Sequence, residues 1–155
     1  ATVMKTYHVT LQVQDILDEC INQVALDFRA MRVNDAAAAD KYYDDYMLST
    51  DEKDPFVVEF QSVAAELCAR FPLSVRACTL TEDRFAADVT IARELPRQIM
   101  ERRMKDYMKA TMLAWWYRLR NPDLWQKQAE QAETAGEELR SLFTPSCTTR
   151  RLRYF

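Results

Sequence analysis

The chain has 155 residues, nearly half of them apolar and 29% charged, with 24 acids against 21 lysines and arginines for a net charge of −3. That is a globular profile and not a disordered one. At this length roughly 68–70% of the unfolded surface can be buried in one domain without help from disulfides or metal. No apolar run approaches the roughly 18 residues of a membrane span and the opening ATVMKTYHV lacks the apolar stretch of a signal peptide, so a soluble protein made in the cytoplasm, with no membrane partner, is expected.

Tyr7 to Val13 alternates apolar and polar residues as a half-buried strand does. From Val13 the period changes. Val13, Ile16, Leu17, Cys20, Ile21, Val24 and Phe28 recur every three or four positions, which predicts a first helix to about Arg32. Asn34 and Asp35 then offer capping oxygens to a second, alanine-rich helix ending near Leu48. Between Asp40 and Asp54 six acids stand against two lysines, with Tyr42, Tyr43 and Tyr46 interleaved, so this stretch presents an acidic, aromatic face.

Asp54-Pro55 reads as a helix start, a capping carboxylate followed by a proline whose missing N–H costs nothing in the first turn. Phe56, Phe60, Val63, Ala64, Leu67, Cys68 and Phe71 form the stripe of this third helix, and Pro72 stops it. Period two returns next. Val75, Ala77 and Thr79 alternate before the turn Thr81-Glu82-Asp83, and Phe85, Ala87, Val89 and Ile91 alternate after it, which predicts a hairpin with one buried face. Two strands alone are marginal in water. Either the Tyr7–Val13 segment adds a third strand, or the hairpin lies on a helix or on a neighbouring subunit.

Pro96 opens a long helix to about Leu119, with Met100, Met104, Tyr107, Met108, Thr111, Met112, Trp115 and Trp116 on a broad stripe. Asn121-Pro122-Asp123 breaks it and caps a last helix from Leu124 to about Phe143. Ala129, Ala132 and the only glycine, Gly136, share one face of that helix, a small-residue stripe that lets a neighbouring helix approach closely. The expected fold is therefore mainly α within the α+β class: about five helices and a small hairpin, extended to a three-stranded antiparallel sheet if the N-terminal strand joins it. Residues 1–143 make a single helical domain with the hairpin inserted at about 73–92, and 144–155 make a basic, aromatic arm.

Chemistry-bearing motifs are sparse. The four cysteines are far apart with no CxxC or Cys/His cluster, so neither a metal site nor a disulfide is expected. Cys20, Cys68 and Cys78 read as small core residues and Cys147 as the exposed one. No phosphate-cradling loop or dinucleotide fingerprint is present, and no cofactor is expected. His8 has no nucleophile nearby and reads as structural. An enzyme built from paired carboxylates such as Asp44 and Asp45, or Glu82 and Asp83, is the weakest reading and requires a concave acidic pocket with strongly shifted carboxyl groups.

Two features point to assembly. The Met108, Met112, Trp115, Trp116 and Tyr117 surface is large enough to serve as part core and part interface, since aromatics and methionine are enriched at interface centres. The arm carries Arg150, Arg151, Arg153, Tyr154 and Phe155, which suits docking into a groove on another chain.

The layout resembles the small structural proteins of phages and prophages of Bacteroides-type bacteria. The resemblance is carried by VTLQV entering a helix, STDEKDPF before another, the alternating hairpin, AWWYRLRNPD closing the long helix, EELRSLF, and the tail TRRLRYF. The broad arrangement also looks like the head–tail connector or head-completion proteins of tailed phages. That resemblance implies a non-enzymatic virion protein: a homo-oligomeric ring at the neck, its arm on the portal or on other neck or tail proteins. The acidic residues Asp44, Asp45, Asp51 and Glu52 would face the channel, near DNA but without sticking to it. The alternative is a stand-alone bacterial helical interaction or regulatory module, dimeric through the Met/Trp helix.

Overall fold

The structure is a computed structural model that describes residues 4–41, 43 and 47–143. Strand β1 (Lys5–Gln12) runs directly into α1 (Val13–Asn34), and α2 (Ala36–Lys41) follows after Asp35 leaves the helical conformation. A single 3-10 turn (Thr50–Glu52) leads into α3 (Lys53–Arg70). The hairpin is β2 (Val75–Leu80) and β3 (Arg84–Ile91), and α4 (Arg97–Tyr117) and α5 (Pro122–Phe143) complete the described chain. The fold is mainly helical with a small sheet, as expected. Four helices are long, whereas the expected second helix amounts to six residues among those described.

The sheet is antiparallel in the order β1-β3-β2, so the N-terminal strand does supply the third member, on the far side of β3 from its hairpin partner. β3 keeps strict alternation: Phe85, Ala87, Val89 and Ile91 are all buried. They share that face with Val9 and Leu11 of β1. β2 does not alternate as expected, because only Val75 of the trio Val75, Ala77 and Thr79 is buried. The cause is a bulge. Arg76 pairs with Asp88 but Thr79 pairs with Ala86, so Ala77 and Cys78 together oppose one residue of β3. Ala77 absorbs the extra residue with φ 53°, and every later side chain of β2 changes face.

Helix starts follow local chemistry, with small shifts from expectation. Ser49 accepts a hydrogen bond from Asp51 N–H at 3.3 Å, and the helical path begins there, so Pro55 sits inside the first turn of α3 instead of opening it. This is tolerated because first-turn N–H groups have no intrahelical partner. Asn121 Oδ1 accepts from Leu124 N–H at 3.1 Å and Pro122 takes the first helical position of α5. Val13 N–H donates to Asp83 C=O at 2.9 Å, which fastens the β1–α1 junction to the hairpin turn.

One continuous apolar cluster joins the inner sheet face to the helices, with α4 at its centre. Met100, Met104, Met108 and Met112 are each at most 1% exposed, and full burial of such a side chain contributes roughly 1.5–3 kcal/mol. Among the described cysteines, only Cys20 fits the expected core role. Cys68 on α3 and Cys78 in the bulge form a disulfide, contrary to expectation. The two are remote from any sequence motif, and the bulge is what turns Cys78 towards α3. Cys147 lies outside the described residues.

Candidate partner-docking groove

α1 and α5 both pack against α4, leaving a furrow between them. Its floor is α4, through Asp106, Lys109, Ala110 and Leu113; Gln23 of α1 forms one wall, and Gln128, Gln131 and Ala135 of α5 form the other. The recess measures about 190 Å³. That is below the roughly 300–1,000 Å³ of small-molecule sites and suits a single side chain of a partner. A shallower trough continues outward along α5 over Glu130, Thr134 and Glu138.

Gln128 distinguishes this furrow. It is 3% exposed, and its Oε1 is the one buried side-chain oxygen or nitrogen among the described residues without a hydrogen-bond partner. Leaving a buried acceptor unpaired costs about 1–3 kcal/mol, so the position is unfavourable in the isolated chain. Its surroundings are paired. Gln23 Nε2 donates to Asp27 at 3.0 Å, and Tyr117 Oη donates to the other Asp27 oxygen at 2.6 Å. Burial, then the hydrogen bond to Asp27, pushes the Tyr117 hydroxyl well above the ordinary tyrosine range.

On the α1 side, Glu19 stands 3.2 Å from Lys105, 3.4 Å from Arg102 and 3.9 Å from Lys109. Burial opposes charge on Glu19, but Lys105 and the other two cations outweigh it and hold the carboxyl below its usual range. Burial dominates at Cys20, whose thiol is pushed up to about 12.

The residues singled out in the sequence fall elsewhere. Met108, Met112, Trp116 and Tyr117 are at most 4% exposed and belong to the core, which corrects the expected interface: the long helix is wrapped by α1, α3, α5 and β1. Trp115 is half-buried against Phe56, ring centroids 6.3 Å apart, and Arg120 covers Trp116 at 3.6 Å. Asp51 is exposed and Glu52 partly so, while Asp44, Asp45 and the arm residues Arg150, Arg151, Arg153, Tyr154 and Phe155 lie outside the described residues. Glu82 and Asp83 form an exposed turn beside an open depression shared with Lys53 and Asp54.

His8 is on the solvent face of the sheet, with Nδ1 hydrogen-bonded to Asp88, the residue opposite it in the ladder. Among the described residues no group of three or more His, Cys, Asp or Glu side chains is arranged to hold a metal ion. Among the described residues no helix is long and apolar enough to cross a membrane. Sequence reasoning missed the furrow because its defining residue, Gln128, reads as one more polar position on an amphipathic helix. Comparison with protein-family models, curated proteins and solved structures finds no match to this chain.

Proposed function

We propose that this chain is a non-enzymatic structural subunit that works by docking to other protein chains, a homo-oligomeric head–tail connector or head-completion adaptor at the neck of a phage virion. The observation that supports docking is the open furrow between α1 and α5 over α4, a recess of about 190 Å³ that fits a single side chain of a partner. The phage setting is supported by the sequence resemblance alone. In this reading the basic, aromatic segment 144–155 supplies contacts to the portal or to the adjoining ring, and the acidic residues around Asp51 and Glu52 face the DNA path, where like charge prevents sticking. The protein is assembled into the virion after synthesis in the bacterial cytoplasm.

Mass photometry of the purified full chain, alone and mixed with a portal protein, tests the reading. Discrete oligomers or a portal complex are expected. A strict monomer at micromolar concentration that also ignores portal and tail components overturns it.

A further inference from the structure

We infer that the Cys68–Cys78 bridge is a redox-controlled lock on the register of β2. Closed, it holds the strand in its bulged pairing; opened by a dithiol, it lets the strand slip by one residue into regular pairing. Two observations meet at the bulge. Ala77 stands at φ 53°, in the left-handed region where an L side chain crowds its own backbone and glycine alone escapes the cost. The residue after it, Cys78, is the one bonded to Cys68 of α3.

The strands themselves carry the second pairing. β2 begins with Val75 opposite Val89 and Arg76 opposite Asp88. Continued without the bulge, that ladder sets Ala77 against Ala87, Cys78 against Ala86, Thr79 against Phe85 and Leu80 against Arg84. Opposite residues share a face, and Phe85, Ala87 and Val89 all point into the core. Val75, Ala77 and Thr79 would then face inward in unbroken alternation, closed by Thr81-Glu82-Asp83, a common hairpin loop length. The slip has costs: Leu80, now half-buried, turns outward, and the Thr81 hydroxyl loses the N–H groups of Asp83 and Arg84 at 3.3 and 3.1 Å. Against them, Ala77 returns to ordinary extended backbone and β3 keeps its whole register with β1.

The bridge decides between the two. In the regular register Cys78 shares the solvent face with Ala86, while α3 packs on the apolar side of the sheet, so Cys78 could no longer reach Cys68. Only the bulged register is compatible with the bond. Cys78 is exposed, which lets a dithiol attack the bridge. The Sγ–Sγ bond breaks, two electrons and two protons pass to Cys68 and Cys78, and the dithiol leaves as its own disulfide. The solvent face of the sheet, which carries Thr6, His8 and Asp88, then gains the Cys78 thiol and the Leu80 side chain and loses Thr79.

The test reads the two residues that exchange faces, in the full chain and whatever its oligomeric state. Thr79→Cys and Leu80→Cys are made separately, each in a bridged chain and in an unbridged one carrying Cys68→Ser and Cys78→Ser. Iodoacetamide alkylation is followed site by site by peptide mapping, which also confirms the bridge. Reciprocal changes are expected on loss of the bridge: position 79 reacts roughly tenfold more slowly as it turns inward, and position 80 reacts faster as it turns out. Adding Ala77→Gly to the unbridged chains should return both rates to their bridged values, because glycine holds the left-handed conformation without cost. Unchanged rates would show that the bulge stands without the bridge, and faster reaction at both positions would show that the hairpin simply opens; either overturns the inference. So does an Ala77→Gly chain in which the exchanged rates persist, since the left-handed residue would then not drive the slip.

Discussion

Gly136 of α5 faces the tip of Arg70 of α3, so closely that a Cβ built on the glycine would come within 2.8 Å of Arg70 Nη1. The small-residue face of α5 was expected to let another helix come close; at Gly136 it makes room for a guanidinium instead. Arg70 in turn lies 3.8 Å from Glu137 and 5.2 Å over the Phe71 ring. All of this is a flexible side-chain end near the surface. Gly136→Ala should therefore displace Arg70 cheaply while gaining about 1 kcal/mol of helix propensity. The expected melting temperature is unchanged or higher by about 2–4 °C, read by thermal denaturation. A drop of several degrees would show that Arg70 cannot move aside.

Stability should fall at alkaline pH through two groups on the α1–α4 contact. The folded state holds the Tyr117 hydroxyl above its ordinary value and the Cys20 thiol up to about 12. Each is raised by folding, so its contribution is complete below the unfolded pKa and is lost as pH rises above it, first near 9 for the thiol and then near 10 for the phenol. Urea unfolding between pH 7 and 11 should show a plateau followed by a decline. Tyr117→Phe should cost about 1–3 kcal/mol at pH 7, because Asp27 loses a charge-assisted bond, and should flatten the decline above pH 10. An unaltered alkaline slope in that variant would place the pH dependence elsewhere.

The Cys68–Cys78 bridge closes a loop of sequence separation 10, for which the chain-entropy estimate is about 2–3 kcal/mol. Reduction should lower stability by about that amount, and Cys78→Ser should match the reduced protein and respond no further to reductant. A thiol assay on the native protein should find Cys20 unreactive, since it is 1% exposed with a raised pKa. Equal unfolding curves with and without reductant would mean the two thiols are not joined in solution.

Deleting residues 144–155 should leave the melting temperature within a degree or two of the full chain, because the sheet, the four long helices and the apolar cluster all lie within the described residues before Thr144. The same deletion should abolish oligomers in mass photometry. A large loss of thermal stability would make the segment part of its own subunit's core.

Wherever a local signal and a tertiary demand agreed, the elements were legible. The stripe from Val13 to Phe28 is buried except at Ile21, which is half-exposed, and Phe85, Ala87, Val89 and Ile91 all face inward. Asn121-Pro122 was readable because capping is satisfied within three residues. β2 was not, since its phase depends on a single bulged residue, Ala77, whose conformation no alternation pattern encodes.

Periodicity and capping, read from the residues alone, determined which segments are helix and strand and which face of each is apolar, because those preferences act between neighbours in the chain. The choice of neighbour for each face was a tertiary matter. Wrapping by three helices and a strand made Trp116 and Tyr117 core instead of interface, the bulge brought Cys78 to Cys68, and the meeting of α1, α4 and α5 left Gln128 Oε1 buried without a partner. Each of these depends on distances between residues remote in sequence, which the packing of the whole chain sets and no local pattern contains.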